Sequence, residues 1–249
     1  MITLAAGGSL RVRGLAKSFG GVTALAGVDI DVAAGELVGL IGPNGSGKTT
    51  AVDCITGFTQ PDRAAVEFDG RDITGMRPDQ LAGLGLIRTF QQVRVFASMT
   101  VRDNVAAGAF ASPRRRGPGR AGWAAVDRST GDIIAMLNLG EVADRPAGAI
   151  SYGQRKLVEL GTALLGQPTM LVLDEPVAAI NPTLAGDIQA HILELNRAGT
   201  TVLLIEHNME VVVGLCRRII VLDQGSKIAE GTPAEVMARP DVQEAYFGR

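Results

Sequence analysis

The 249-residue chain has little that would place it across a membrane, in a secretory pathway or on nucleic acid. No apolar run approaches the ~18–20 residues that a membrane-spanning helix needs. Residues 1–6 lack the basic region and the apolar core of a secretion signal. The formal net charge of −2 gives no electrostatic reason to expect nucleic acid as a partner. We therefore expect a chain that neither spans a membrane nor is exported.

Cysteine and aromatic residues are also scarce. The two cysteines, Cys54 and Cys216, have neither metal-binding nor redox spacing, and we interpret them as buried thiols in a reducing cytoplasm. Aromatic residues make up 4% of the chain, so Phe19, beside Gly20 and Gly21 at the end of a predicted strand, stands out. Its ring could stack on a purine base, or it could be a hydrophobic plug in a small sheet. The residues alone leave both interpretations open.

Segment 42–49, Gly-Pro-Asn-Gly-Ser-Gly-Lys-Thr, fits the phosphate-loop pattern G-x-x-x-x-G-K-[ST]. It follows a predicted apolar strand and precedes a predicted helix, which is the context that this motif requires. Glycines let successive N–H groups point inward around an anion, and the helix adds the positive end of its dipole. We expect Lys48 to reach the β- and γ-phosphates and the Thr49 hydroxyl to ligate Mg²⁺. The predicted nucleotide contacts here are Gly42, Asn44, Gly45, Ser46, Gly47, Lys48, Thr49 and Thr50.

Three other predicted strands end in polar side chains. The apolar strand 170–173 leads into Asp174, which could hold the Mg²⁺ shell, and Glu175, which could polarise a water in line with the γ-phosphate. The strand after it leads to His207, which could hydrogen-bond the γ-phosphate or the attacking water. Gln91 ends its own predicted strand and could sense the Mg²⁺ and water positions without being charged. Together these residues predict hydrolysis of a nucleoside triphosphate.

A second candidate anion site lies at Ser151-Tyr152-Gly153-Gln154, just before a helix predicted to start near Arg155. Serine and glycine at a helix N-terminus favour an anion. The chain from here to the acidic strand is too short to fold back easily onto the phosphate loop of the same molecule. We therefore expect this segment to serve a second molecule.

The pattern of the remaining chain predicts an α/β fold. Segments 10–15 and 28–32 alternate apolar and polar residues, as half-buried antiparallel strands do. The second half alternates apolar strands with helices, which is typical of a parallel sheet covered on both faces. Residues from about 92 to 150 are predicted to form a helical insertion. Within it, the basic loop 112–120 is either solvated or a contact for lipid headgroups or an acidic partner.

The order of these motifs, with Asn181 between Glu175 and His207, resembles that of the ATP-binding-cassette (ABC) ATPases over essentially the whole chain. The resemblance implies a single ABC ATPase domain over 1–249, with a P-loop NTPase core, a mostly parallel sheet, a small antiparallel β-subdomain and a helical insertion. The ATP-binding core would comprise about 1–91 and 151–249, and the helical subdomain about 92–150.

The resemblance also implies roles. In that family the aromatic residue stacks on adenine, the glutamine loop couples the site to a membrane partner, the signature segment caps the ATP of the opposite subunit, and the glutamate is the catalytic base. The implied catalytic residues are Glu175, His207, Gln91 and Lys48, and the implied Mg²⁺ ligands are Thr49, Gln91 and Asp174. The implied ATP contacts outside the phosphate loop are Phe19, Ser151, Gly153, Gln154 and Asn181.

Narrower features are similar to the ATPase subunits of bacterial branched-chain amino acid importers, including relatives that serve urea and amides. They are the Ile-Ser-Tyr-Gly-Gln signature at 150–154, Arg-Thr-Phe-Gln at 88–91, Glu-His-Asn-Met-Glu at 206–210 and the tail 240–248. Two departures occur: Ala179-Ile180 replaces the usual Gly-Leu, and Asn208 replaces an aspartate after the histidine.

The expected partners are two transmembrane permease subunits, a second ATPase subunit that is either a copy or a paralogue, and indirectly a periplasmic binding protein. Nucleic acid is not among them. The expected location is the cytoplasmic face of the inner membrane. The alternatives are the ATPase of a lipopolysaccharide-type exporter, a soluble ABC factor acting on ribosomes or in DNA repair, and a nucleotide sensor that does not hydrolyse.

Overall fold

Short apolar segments, most of them bounded by glycine or polar residues, form the strands of two sheets. The computed structural model describes residues 7–111 and 120–247. The strands in this part of the chain are β1 (Leu10–Phe19), β2 (Val22–Val32), β3 (Leu37–Ile41), β4 (Arg63–Phe68), β5 (Arg71–Asp72), β6 (Leu86–Arg88), β7 (Met170–Asp174), β8 (Thr201–Ile205), β9 (Arg218–Asp223) and β10 (Ser226–Gly231).

The larger sheet has the order β10-β9-β3-β8-β7-β6, and all neighbours run parallel except β9 and β10. Every residue of β3, β7 and β8 is buried, because helices or the second sheet cover both faces. The carboxyl ends of parallel strands meet at one edge of a sheet, which is where ligands bind in open α/β folds. The residues that follow β3, β6, β7 and β8 therefore lie at a common edge.

The smaller sheet is antiparallel, with the order β2-β1-β4-β5. Its strands alternate buried and exposed residues along much of their length, so one face packs on the interior and the other meets solvent. The predicted combination of a mostly parallel sheet with a small antiparallel sheet is confirmed.

The α-helices cover the larger sheet and fill the connection between β6 and β7. Those among the described residues are α1 (Lys48–Ile55), α2 (Pro78–Leu84), α3 (Val101–Ala107), α4 (Arg120–Met136), α5 (Tyr152–Leu165), α6 (Pro182–Arg197), α7 (Met209–Leu215), α8 (Pro233–Met237) and α9 (Pro240–Phe247). Within the β6–β7 connection, α3 and α4 both pack against α5.

The larger sheet separates two apolar cores. Along β7, Leu171 and Leu173 belong to the core beneath the helices, whereas Met170 and Val172 belong to the core shared with the antiparallel sheet. The same alternation holds along β8 and β9. Because side chains of a strand point to opposite faces in turn, neighbouring residues contribute to different cores.

Several predicted boundaries were wrong. The strand predicted to end in glutamines stops at Arg88, because the segment after Thr89 bonds to side chains of α5 rather than to a neighbouring strand. Helix α3 ends at Ala107, and the chain continues as a 3-10 turn, Gly108–Ala111. At Gly108 a Cβ atom would lie 2.0 Å from the carbonyl oxygen of Thr162, so the turn packs directly on the backbone of α5.

Smaller shifts affect other ends. The first two strands are longer than predicted and meet at the Gly20-Gly21 turn, and the helix after the signature begins at Tyr152 rather than near Arg155.

The two cysteines are buried free thiols, as expected, and burial raises the pKa of Cys54 to about 11 and that of Cys216 to about 12. No helix among residues 7–111 and 120–247 is long and apolar enough to cross a membrane. Most of the basic loop, residues 112–119, lies outside the described residues.

Candidate active site

The phosphate loop connects β3 to α1, as the motif predicts, and its glycines adopt backbone conformations that other residues rarely adopt. Gly42, Gly45 and Gly47 have φ of 149°, 80° and 102°. A Cβ at Gly42 would lie 2.1 Å from the carbonyl oxygen of Leu222, and one at Gly47 would lie 2.6 Å from that of Ala24. The loop is therefore wrapped tightly between two strand ends, with its Gly45 turn open to solvent.

Lys48 is the first residue of α1 and is 8% exposed. Its ammonium donates hydrogen bonds to the carbonyl oxygens of Gly42 at 2.8 Å and Pro43 at 2.9 Å, so the side chain arches back over its own loop. Burial lowers the pKa of Lys48, and the nearby carboxylates of Glu175 and Asp174 act in the opposite direction. The two acidic residues predicted from the sequence thus lie within electrostatic range of this lysine.

Parallel pairing brings the polar strand ends together. Asp174 is in register with Ile205, and the Glu175 amide donates to the carbonyl oxygen of Ile205 at 3.0 Å. The segment that contains His207 therefore lies beside the acidic strand end. On the other side, β6 pairs with β7 and directs the chain towards Gln91.

Glu175 is the centre of this edge. Its Oε2 accepts a hydrogen bond from Gln91 Nε2 at 3.0 Å, and its Oε1 lies 3.3 Å from His207 Nδ1. The Glu175 side chain is 17% exposed and that of His207 is 60% exposed, so the group opens to solvent on the histidine side. Glu175 has φ of 47°, a left-handed conformation that is strained for a residue other than glycine and that occurs often at functional sites.

Asp174 is held by a residue that sequence reasoning missed. The Arg88 guanidinium donates to Asp174 Oδ2 at 2.9 Å, to Thr56 at 3.2 Å and also to Asp53 on α1. Burial raises the pKa of Asp174, and Arg88 opposes that shift. Arg88 thereby ties the acidic strand end to the helix that follows the phosphate loop. The only sequence signal was its place in the Arg-Thr-Phe-Gln phrase.

The signature segment begins α5. The Ser151 hydroxyl accepts a hydrogen bond from the Gln154 amide at 3.2 Å, and Gln154 Oε1 accepts one from the Ser151 amide at 3.0 Å, which forms a capping box. Gly153 is buried where a Cβ would lie 2.2 Å from Leu184 Cδ2. Asn181 similarly caps α6 through Leu184. No hydrogen bond between described residues joins Ser151 or Asn181 to Glu175.

Phe19 ends β1 with half of its surface exposed, at 50%, and the Lys17 ammonium lies 5.2 Å from its ring centroid. The plug interpretation is therefore wrong, because a plug would be buried. The departure at Asn208 is benign, since its side chain caps α7 by accepting from the Glu210 amide at 3.0 Å.

The donor set fits a magnesium–triphosphate substrate. Gly45 at the turn of the loop is exposed, Lys48 lies at the loop, and Asp174 has one carboxylate oxygen, Oδ2, committed to Arg88. Among residues 7–111 and 120–247, no cluster of three or more His, Cys, Asp or Glu residues could hold a metal ion. A Mg²⁺ ion that accompanies phosphates commonly takes only one or two carboxylates from the protein.

Comparisons with known proteins agree with this geometry. Residues 25–178 match the family model "ABC transporter", and residues 226–249 match "Branched-chain amino acid ATP-binding cassette transporter". The chain is 38% identical to the high-affinity branched-chain amino acid transport ATP-binding protein BraF of Pseudomonas aeruginosa, with 96% of this chain and 97% of that protein covered.

Its similarity to LivG of Escherichia coli K12, which carries the same description, has the same identity and coverage. Among solved structures, it superposes with a TM-score of 0.84 and 38% identity on the ADP conformation of an ATP-binding cassette of an ABC transporter, covering 97% of this chain and 99% of that one. This protein therefore belongs to the ABC transporter family, as an ATP-binding ATPase domain.

Proposed function

We propose that this chain is the ATP-hydrolysing subunit of an importer for branched-chain or related amino acids. The observation that carries the proposal is the Glu175 carboxylate, which lies within electrostatic range of Lys48 and is contacted by Gln91 and His207. The relatives that suggest the substrate class are BraF and LivG. An importer for urea or amides is the second candidate, because the motifs of this chain are also similar to those of the ATPase subunits of such importers.

The proposed chemistry follows from the charges at the sheet edge. Glu175, whose carboxylate lies beside His207, would accept a proton from water as the water oxygen attacks the γ-phosphorus and ADP leaves. Lys48 would turn from its own loop carbonyls to the β- and γ-phosphate oxygens. His207 would bond the γ-phosphate or the attacking water, and Gln91 would help to position that water.

Mg²⁺ would be held by Thr49, Asp174 and Gln91, and when bound it would neutralise the charge that develops on the phosphate oxygens. Gly42, Asn44, Gly45, Ser46, Gly47 and Thr50 would complete the phosphate contacts, and Phe19 would stack on the base. Arg88 contributes by orienting Asp174 Oδ2, so that Oδ1 is the oxygen free for the ion.

The second nucleotide contact would come from another ATPase subunit. Ser151, Gly153 and Gln154 lie at the start of the 14-residue helix α5, whose unpaired N–H groups and dipole suit a triphosphate. They do not join the Glu175 group of the same chain, so we infer that they and Asn181 act across a dimer, formed by two copies or with a paralogue.

The remaining parts of the transporter would be separate chains. We propose two permease subunits in the membrane, a binding protein that delivers the solute to them, and no nucleic acid partner. The ATPase would lie on the cytoplasmic face of the inner membrane, with residues of about 92–150 as a separate helical subdomain.

The chemical test is the variant Glu175→Gln. The matched control is Glu141→Gln, which makes the same substitution at an exposed residue of the 3-10 turn Gly140–Val142. We expect Glu175→Gln to bind ATP normally and to lose on the order of 10²-fold or more in turnover, because the amide cannot take the proton. Glu141→Gln should retain wild-type turnover. Normal turnover in Glu175→Gln would refute the assignment of the base.

The transport assignment is tested by purifying the tagged chain from the membranes of its own host in mild detergent. Recovery of two polytopic membrane proteins supports the importer, and a second, different ATPase among them would show a heteromeric pair. Recovery of ribosomes or DNA-repair factors instead would contradict transport while leaving the ATPase assignment intact.

A further inference from the structure

Helix α5 carries polar side chains on a face that is otherwise buried. Tyr152, Lys156 and Glu159 follow one another at spacings of four and three residues, which places them on the same side of the helix. Lys156 is 5% exposed and Glu159 is 8% exposed. We call these three residues the α5 polar stripe. Two buried charges on one helix face call for a specific reason, since a buried charge is unfavourable unless it is bonded.

The α5 polar stripe binds backbone atoms of the segment that contains Gln91. The Tyr152 hydroxyl and the Lys156 ammonium both donate to the Gln91 carbonyl oxygen, at 3.3 Å and 3.4 Å. Glu159 Oε1 accepts from the amides of Phe90 at 3.2 Å and Arg94 at 3.3 Å. Because residues 89–94 belong to neither a helix nor a strand, α5 supplies hydrogen bonds that regular structure would otherwise supply.

Lys156 also reaches the acidic strand end. Its ammonium donates to the carbonyl oxygen of Glu175 at 2.6 Å, the shorter of its two bonds. One side chain thus bridges the backbones of Gln91 and Glu175, whose own side chains are hydrogen-bonded to each other. Burial lowers the pKa of Lys156, and the nearby carboxylates of Glu159, Glu206, Glu175 and Asp174 act in the opposite direction.

Packing alone does not explain this arrangement. An apolar side chain at position 156 would fill similar volume without the desolvation penalty of an ammonium. What the ammonium adds is direction, since it fixes two carbonyl oxygens relative to one point on a helix. The strained φ of 47° at Glu175 shows that the backbone there needs such outside support.

We propose that the α5 polar stripe, centred on Lys156, positions the hydrolytic groups by fixing the backbone from which Gln91 and Glu175 project. Lys156 is a positioning residue and touches no reacting atom. This inference rests on the proposed ATPase function. Since α5 begins at Tyr152, directly after its N-cap Ser151, the helix that carries most of the signature is also the rigid element that fixes the position of the base.

The test compares Lys156→Met with Lys156→Arg, and uses Lys227→Met, on the exposed β9–β10 hairpin, as the control. The measurements are steady-state ATPase kinetics and equilibrium binding of a fluorescent ATP analogue to the Glu175→Gln background of each variant. We expect Lys156→Met to lower kcat about 10-fold or more, since displacements near 1 Å can reduce rates by up to about 10²-fold. Its nucleotide affinity should stay within about 2-fold, because the phosphate loop is untouched.

Lys156→Arg should recover most of the lost kcat, because a guanidinium can donate to both carbonyl oxygens, and Lys227→Met should match wild type. An unchanged kcat in Lys156→Met would overturn the proposal. So would a parallel loss of affinity and kcat, or an arginine variant no better than methionine. Wild-type hydrolysis together with an inactive Glu175→Gln keeps the proposed function standing whichever result Lys156 gives.

A second pair of variants covers the case in which Lys156→Met does not fold. Glu159→Gln keeps an acceptor oxygen for the amides of Phe90 and Arg94, whereas Glu159→Leu removes it. We expect the glutamine variant to keep kcat within about 3-fold of wild type and the leucine variant to lose about 10-fold. Equal kcat values for the two variants would contradict a positioning role for the stripe.

Discussion

The residue at position 179 offers a direct test of backbone strain near the site. Ala179 has φ of 59°, in the left-handed region, at the place where the family resemblance leads one to expect glycine. An L-residue in this region loses about 1–2 kcal/mol relative to a right-handed conformation, whereas glycine loses almost nothing. The variant Ala179→Gly should therefore relieve strain in the folded protein.

The gain is partly offset in the unfolded chain. Replacing alanine by glycine increases the freedom of the unfolded state, which disfavours folding by about 0.4–1 kcal/mol. Ala179 is exposed, so the loss of its methyl group removes little buried surface. The balance is a stabilisation of about 1 kcal/mol, which corresponds to a rise in Tm of about 2–4 °C for a chain of this size.

The neighbouring alanine provides the control. Ala178 belongs to the same turn, between Glu175 and Ala179, but its φ is not positive. Ala178→Gly should therefore destabilise the fold by about 0.5–1 kcal/mol. Urea unfolding of both variants, with wild type beside them, measures the difference. If Ala179→Gly were destabilised as much as Ala178→Gly, the argument from strain would be refuted.

Two further predictions concern the ends of the site. Phe19→Ala should weaken ATP binding about 10-fold, because base stacking contributes about 1–3 kcal/mol. The ATP affinity of Phe19→Tyr should stay within about 2-fold of wild type. Equal losses of affinity in a fluorescent-nucleotide titration would contradict stacking. Burial raises the pKa of Glu159 to about 7, against the opposing effects of two backbone amides and of Lys156 and Arg94. The folded state then binds more protons than the unfolded state between its ordinary pKa of 4.5 and about 7, so the stability that Glu159 confers is present at low pH and is lost as the pH rises through that range. Between pH 5 and 8, the free energy of unfolding of wild type should fall by up to about 3 kcal/mol relative to that of Glu159→Gln, with no further change above pH 8. Identical pH profiles of the urea midpoint for the two proteins would show that Glu159 does not titrate in this range.

The sequence was informative where a motif and its local context coincide. The phosphate loop, the acidic strand end and the histidine follow apolar strands, and parallel pairing then places them at one edge without further information. The placement of these residues at one edge held even where the end of a strand was predicted wrongly. A strand that stops at Arg88 rather than at the glutamines still delivers Gln91 to Glu175.

What the sequence did not reveal are the residues that act through tertiary contacts. Nothing in the sequence near Arg88 indicates that the folded chain places Asp53 and Asp174 beside its guanidinium. Lys156 and Glu159 sit in a helical pattern that would equally suit a solvated face. Their helical spacing was visible, but nothing local indicated that residues 90–94 would lie against them. Strain at Ala179 was likewise hidden, since a dihedral angle is set by the turn as a whole.

The division of the apolar interior by the larger sheet has a consequence for how this chain can change over time. Adjacent residues of β7, β8 and β9 contribute to different cores, so a substitution on one face is accommodated without repacking the other. Residues in the core beneath the helices can therefore change while those in the core shared with the antiparallel sheet remain as they are. An insertion or deletion of one residue within these strands would exchange the two sets at once. Such strands are thus free to vary in composition and are constrained in length.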